Sequence, residues 1–359
     1  MGFENARAVG PHSLTFATME DEMETRILLA SKMHESCRHS PSHRALKRAG
    51  FWSMLMILDM SVLFELLHEL ETASWMERRR LVCGLVPVAQ RLPMLVKICM
   101  SSLQPNSFPM NADQSTVLQR PYALGFPESS SLVMRTERLR SQAERAKVKN
   151  LTQAYNRDEG RCAVTGTTDP DVCHIFPFAD NESDQYRHHL VGLFHMEAFW
   201  GEARCRRLYK CLSSGRLPNM IDTAANMICL NREVHTSWAQ GLLAFEPLET
   251  PATCWPCIRL RVHWLQKTQV PSMESRVSFS TDPRTVLVPE DMRMTRSRPV
   301  TDGQVITIFA ERKDQLPNRD ILELQWAFLR MHSLSGAPDA HIYPWHPEQD
   351  DGFWDTDDD

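Results

Sequence analysis

A change from helical to short β-type segments in the middle of the chain restricts its fold more than any other feature. Arg161–Thr165 is a β-type run, residues 166–170 have the Gly and Pro of a turn, and Val172–Phe176 is a second β-type run. Pro177 ends this second run, because proline lacks the N–H that a strand ladder needs. The sequence therefore predicts a β-hairpin at this point.

A strand and a capped helix follow the hairpin after a long insertion. Residues 185–212 are predicted to be helical, and Asn226–Leu230 is a third β-type run. Asn231 suits the N-cap of a helix, and Gly241 suits its end because glycine accepts the left-handed conformation. The predicted order is hairpin, helical insertion, strand and helix, with further strands and a last helix capped by Asn318.

Composition and apolar spacing divide the rest of the chain. Apolar residues at helical spacing predict a helical region, whose later part Pro87 and Pro93 are expected to break. A stretch rich in Pro, Ser and Asn is typical of a linker. The predicted divisions are a loosely ordered leader with one short helix (1–48, helix around 20–35), the helical region (49–100), the linker (101–130), the domain that contains the hairpin (131–337) and an acidic disordered tail (338–359).

The formal net charge is −5, with 24% charged residues, so the sequence is not that of a protein whose whole surface is basic. A local basic face is still present. Between residues 135 and 161 there are eight Lys and Arg against four Asp and Glu, which is +4. This segment is either a solvated charged helix or a phosphate-contacting helix. The candidate nucleic-acid contacts are Arg138, Arg145, Lys149, Arg157 and Arg161.

The N-terminus has no apolar stretch of the secretory kind, so we expect an intracellular protein of the cytoplasm or nucleus. Its ten cysteines are then expected to be reduced thiols. The most membrane-like stretch, residues 51–67, is interrupted by Asp59. We interpret it as buried helix and expect no membrane partner, with a membrane anchor as the alternative.

Three residues stand out in the hairpin and in the strand and helix that follow the insertion: His174, Asn226 and His235, the last two separated by eight residues. The segments RDEGRCAVTG, VCHIFPF, NMICLNREVH and GLLAFEPL around them resemble the HNH endonuclease family, in particular the HNH-domain proteins common in filamentous fungi. The resemblance covers about residues 131–337. It implies an α+β protein in which an N-terminal helical region precedes a ββα-metal domain with a long helical insertion, additional strands and a C-terminal helix.

The resemblance also implies a role for each of the three residues. His174 would be the general base, because a neutral imidazole takes a proton near neutral pH. Asn226 would orient it, and His235 would bind a divalent metal ion, which could be Mg²⁺, Mn²⁺ or Zn²⁺. The implied function is metal-dependent hydrolysis of DNA.

One position departs from the family. HNH nucleases usually have an Asp metal ligand immediately before the first His, where this chain has Cys173. Cys173 could be a soft metal ligand, or it could be core packing with Asp171 or Asp180 recruited in its place. If the metal site is lost, the chain would be a non-catalytic accessory or binding protein on a degenerate HNH scaffold.

Overall fold

The computed structural model describes these parts of the chain: 20–37, 43–101, 148–176, 193, 196–213, 223–250, 255–288 and 300–336. Arg138, Arg145, Asp180, the linker after residue 101 and the acidic tail lie outside the described residues.

Helices and short strands both occur, which confirms the predicted α+β class. The helices are α1 (Glu20–Cys37), α2 (His43–Leu46), α3 (Ala49–Ile57), α4 (Met60–Thr72), α5 (Trp75–Ser101), α6 (148–157), α7 (Glu197–Trp200), α8 (Glu202–Ser213), α9 (Arg232–Ala239) and α10 (Arg319–Ser335). The strands are β1 (Asp171–His174), β2 (Met227–Leu230), β3 (Leu243–Leu248), β4 (Cys257–Trp264) and β5 (Val305–Phe309).

Two antiparallel sheets are present in the described part of the chain. β1 pairs with β2, and the second sheet has the order β3-β4-β5. The pairing of β1 corrects the predicted hairpin, because its partner is β2 and not the segment 161–165. That segment folds into a tight turn in which Gly166 N–H donates to the carbonyl of Cys162 (2.9 Å), so it cannot extend along β1. Within this segment, Arg161 forms an isolated antiparallel β-bridge with Thr168.

The N-terminal helices and the sheet region share one hydrophobic core, whose members run from Met23 to Leu334. α10 packs against both α3 and β3, and residues 49–56 of α3 are buried. Arg26 holds the end of α3, since its buried guanidinium donates to the carbonyls of Leu55 and Leu58. The helical region therefore packs onto the remainder of the molecule through its most apolar helix.

α5 runs through both Pro87 and Pro93, which corrects the expectation that these prolines break the helix. Buried residues of α5 (Val82, Leu85, Val88, Ala89 and Leu92) continue its apolar stripe past Pro87. Tertiary packing therefore outweighs the lost backbone hydrogen bonds.

Two stretches have the apolar character of membrane spans. Trp75–Met100 is long and apolar enough to cross a membrane, and 50% of the qualifying window is buried inside the protein. α3 and α4 qualify only together and are bent by 118°. α3 is a core helix by its contacts with α10, in line with the buried interpretation of the stretch 51–67.

Candidate active site

Asn226 clamps the chain that leaves β1. It is fully buried, and its side chain makes two hydrogen bonds to one residue: Phe176 N–H donates to Asn226 Oδ1 (2.9 Å), and Asn226 Nδ2 donates to Phe176 O (2.7 Å). The carbonyl of Asn226 also accepts from Ile175 N–H at 2.8 Å. These contacts fix the backbone directly after His174, which is the kind of contact an orienting residue needs.

His174 is the last residue of β1 and lies opposite Met227 in the strand pair. Its side chain is partly exposed, and its Nε2 atom is shielded from solvent. Side chains alternate along a strand, so His174 shares a face with Val172, while Asp171 and Cys173 share the other. Its backbone conformation is set from both sides, by β2 and by the Asn226 clamp.

His235 and Asp171 form a close pair between α9 and β1. His235 Nδ1 lies 3.3 Å from Asp171 Oδ2, and the two side chains are 7% and 25% exposed. α9 is fixed at its start because Asn231 caps it, accepting from Val234 N–H at 2.9 Å. The cap and the helix end at Gly241 follow the local sequence signals, so the sequence predicts where His235 enters the site.

Cys173 is 4% exposed and belongs to the hydrophobic core. Burial, with the nearby Asp171 carboxylate, raises the pKa of the Cys173 thiol well above its usual range. A thiolate ligand is therefore costly to form at this position. On the shared face of β1, Asp171 is the residue that meets His235, whereas Cys173 packs inward.

Arg157 is part of the scaffold in this structure. Its side chain is 2% exposed, and its guanidinium forms a bidentate pair with Asp158 at 2.7 and 2.8 Å. It also donates to the carbonyls of Ala224 (2.8 Å), Gln315 (3.0 Å) and Met227 (2.9 Å). The expected phosphate contact would require these bonds to break, because all five guanidinium donors are used.

The other two described candidates for nucleic-acid contact are accessible. Lys149 is exposed on α6, and Arg161 is exposed at the turn after it. Arg161 donates to the carbonyl of Gly166 at 3.0 Å, which leaves part of its guanidinium facing solvent. Of the three described candidates, Lys149 and Arg161 are therefore accessible to a ligand and Arg157 is not.

Sequence reasoning missed Asp158 and gave Asp171 only as one of two substitutes. Asp158 is buried, and besides its pair with Arg157 it accepts from Cys229 N–H at 2.9 Å, which ties α6 to β2. Asp158 lies inside the basic segment of the sequence, and nothing in that position predicts that it connects α6 to β2. Among the described residues, no three His, Cys, Asp or Glu side chains are grouped closely enough to hold a metal ion.

The region that contains these residues matches a known protein family. Residues 162–246 match the family model described as HNH endonuclease, and this range contains His174, Asn226 and His235. No curated protein and no solved structure gives a significant match to the chain.

Proposed function

We propose that this chain, whose residues 162–246 form an HNH endonuclease domain, is a metal-dependent endonuclease that hydrolyses phosphodiester bonds of DNA. The observation that carries the proposal is the Asp171–His235 pair at 3.3 Å, which lies on the strand that ends at His174. A carboxylate and an imidazole thereby lie against the strand that supplies the candidate base.

The donor chemistry of the pair fits a hard divalent cation. Asp171 offers carboxylate oxygen and His235 offers imidazole nitrogen, and both suit Mn²⁺, while the carboxylate also suits Mg²⁺. Two protein donors are few, but Mg²⁺ is commonly held by one or two carboxylates, several waters and substrate phosphate. The buried Cys173 thiol argues against Zn²⁺ held by a thiolate. A bound cation would stabilise the negative charge that develops on the phosphate and on the departing oxygen.

The residues of the chain have separate tasks in this proposal. His174 takes the proton from the attacking water, because a ring nitrogen of its imidazole can accept one. Asn226 orients that imidazole through the backbone of Phe176. Lys149 and Arg161 bind phosphates of the DNA backbone and so position the substrate.

A non-catalytic nucleic-acid-binding protein on the same scaffold is the second candidate. It is favoured by one observation: in the part of the chain described here, no group of three metal-ligating side chains is present. Under this alternative, the Asp171–His235 pair is a structural hydrogen bond between strand and helix, and removal of metal leaves DNA binding unchanged.

Plasmid nicking by the full chain distinguishes the two candidates. Supercoiled plasmid is incubated with chelator-treated protein, to which Mg²⁺, Mn²⁺ or Zn²⁺ is then added. We expect His174→Ala to lose about 10²–10⁴-fold in nicking rate, as is typical for a missing general base. We expect Asp171→Asn to raise the Mn²⁺ concentration for half-maximal activity about 10-fold or more.

Exposed residues of the same type provide the matched controls. Glu233 is an exposed acid on α9 and His68 is an exposed histidine on α4, so Glu233→Gln and His68→Ala should nick like the parent. Absence of nicking with all three metals, or full activity of a clean His174→Ala preparation, would refute the proposed enzyme.

A further inference from the structure

A basic helix of the insertion lies close to the residues that carry the proposed chemistry. α8 has four Lys and Arg residues against one Glu, a formal charge of +3. Its apolar side is buried in the molecule, while its basic side is exposed. The buried residues are Cys205, Leu208 and Leu212, and the exposed ones are Arg206, Arg207 and Lys210.

Ion pairs hold α8 on the C-terminal helix. Arg204 contacts Glu323 at 2.7 Å, with both side chains about a quarter exposed. Arg207 makes a bidentate contact with Asp320, at 2.8 and 2.9 Å. These two arginines therefore position the helix, and Asp320 neutralises the charge of Arg207.

The start of α10 links α8 to the candidate active site. Asn318 N–H donates to the carbonyl of Ala225 at 2.7 Å, one residue before the Asn226 clamp. Asn318 Nδ2 lies 3.9 Å from Cys211 Sγ on the last turn of α8. Lys210 lies in the same last turn of α8 as Cys211.

α6 approaches the same segment through a different contact. Arg157, in its last turn, donates to the carbonyl of Ala224 at 2.8 Å. Lys149 is exposed two turns earlier on α6. α6 thus contacts residues 224–226 directly, and α8 is linked to the same segment through Asn318.

Two basic side chains of α8 are free to bind an anion. Lys210 has no ion pair with another described residue. Arg206 pairs only with Glu202 one turn earlier, and both side chains are more than half exposed, at 69% and 59%. Exposed pairs of this kind contribute little free energy and exchange readily for a phosphate.

We infer that α8 is a second phosphate-contacting arm, in which Arg206 and Lys210 bind the DNA backbone beside the scissile bond while α6 binds it through Lys149. The inference rests on the proposed function and extends it, because it places substrate contacts in the helical insertion. Charge complementarity selects DNA as the occupant: the exposed face of α8 presents cations to a polyanion.

Salt-dependent DNA binding tests the arm. His174→Ala protein, full chain, is titrated onto a fluorescent duplex of about 20 base pairs at several KCl concentrations. Each phosphate contact contributes about 0.9 to the slope of log affinity against log salt. We expect Arg206→Gln with Lys210→Gln to reduce the slope by about 1.8 and to weaken binding. Arg206→Lys with Lys210→Arg keeps both charges and should bind like the parent.

A control pair on α5 separates local contact from net charge. Arg79 and Arg80 are exposed arginines outside the HNH domain, so Arg79→Gln with Arg80→Gln removes the same charge elsewhere. An unchanged salt slope in the α8 double variant would overturn the inference, and so would an equal fall of the slope in the α5 double variant. In either case the proposed function still stands if the parent binds DNA and nicks plasmid. If the parent neither binds duplex nor nicks plasmid, both fail together.

Discussion

Replacement of Asn226 by alanine should destabilise the protein through a defined pair of lost hydrogen bonds. Asn226 is 0% exposed and Phe176 is 1% exposed, so no water reaches the groups that Asn226 satisfies. The variant leaves the N–H and the carbonyl of Phe176 buried without these partners. Each such group costs about 1–3 kcal/mol, so we expect the free energy of unfolding to fall by about 2–6 kcal/mol.

Urea unfolding of the full chain, followed by circular dichroism, measures this loss. Asn318→Ala is the matched control, because Asn318 caps α10 by accepting from Ile321 N–H at 3.2 Å and its side chain makes no bond to Phe176. Loss of a cap of this kind costs about 1 kcal/mol. A fall below about 1 kcal/mol for Asn226→Ala would show that the clamp does not hold the segment after β1.

A second substitution distinguishes the role of the clamp from simple packing. Asn226→Asp keeps an acceptor for Phe176 N–H but at neutral pH loses the donor to Phe176 O. Because only the protonated carboxyl can donate that bond, the folded state favours the neutral form of the new side chain. We therefore expect Asn226→Asp to recover stability relative to the parent as pH falls towards 5. A constant difference between the two proteins across pH would contradict the two-bond account.

Three further predictions follow from buried groups. Arg157→Lys should lower the free energy of unfolding by about 3–5 kcal/mol in urea titrations, because an ammonium cannot replace a buried bidentate guanidinium; a loss below about 1 kcal/mol would contradict the scaffold role. Burial lowers the pKa of His332 to about 4, so the unfolded chain binds the proton more tightly and stability should fall, by up to about 3 kcal/mol, as pH drops from about 6.5 towards 4. His332→Gln should flatten that decline, and an unaltered pH dependence would remove His332 as its source. Cys173→Asp buries a carboxylate and should lower Tm in a way that Mg²⁺ does not restore, whereas a Tm that rises with Mg²⁺ would place position 173 at the metal.

Local signals in the sequence predict the helix boundaries of the site well. Asn231 and Asn318 were expected to be N-caps, and each accepts from the backbone N–H three residues later. Each of these hydrogen bonds spans only three residues, so a short stretch of sequence is enough to predict it. The end of α9 is also a local signal: Gly241 has a φ of +67°, at which the backbone of a residue with a side chain would be strained.

Long-range pairing is what the sequence could not specify. β1 pairs with β2, more than fifty residues away, and not with the neighbouring segment 161–165. Strand pairing depends on the burial of both partners and not on their proximity in the chain. β2 is buried at all four positions, so the β1–β2 pair shields more apolar surface than a local hairpin could. The packing of α10 on α3 is likewise a contact between residues far apart in the chain.

Strand geometry fixes how Asp171 lies relative to Cys173 and His174, and this sets a condition on the proposed reaction. Asp171 is two residues before Cys173 and therefore shares its face of β1, which meets His235. It is also three residues from His174, a separation of about 10 Å along a strand, and on the opposite face. A general base must come within hydrogen-bond reach of its water, so under the proposed function one phosphate has to be reached from both faces of β1. The two residues are therefore tested by different readouts: the proposed enzyme needs more Mn²⁺ in Asp171→Asn and loses nicking rate in His174→Ala. A binding scaffold nicks plasmid neither as the parent nor as either variant.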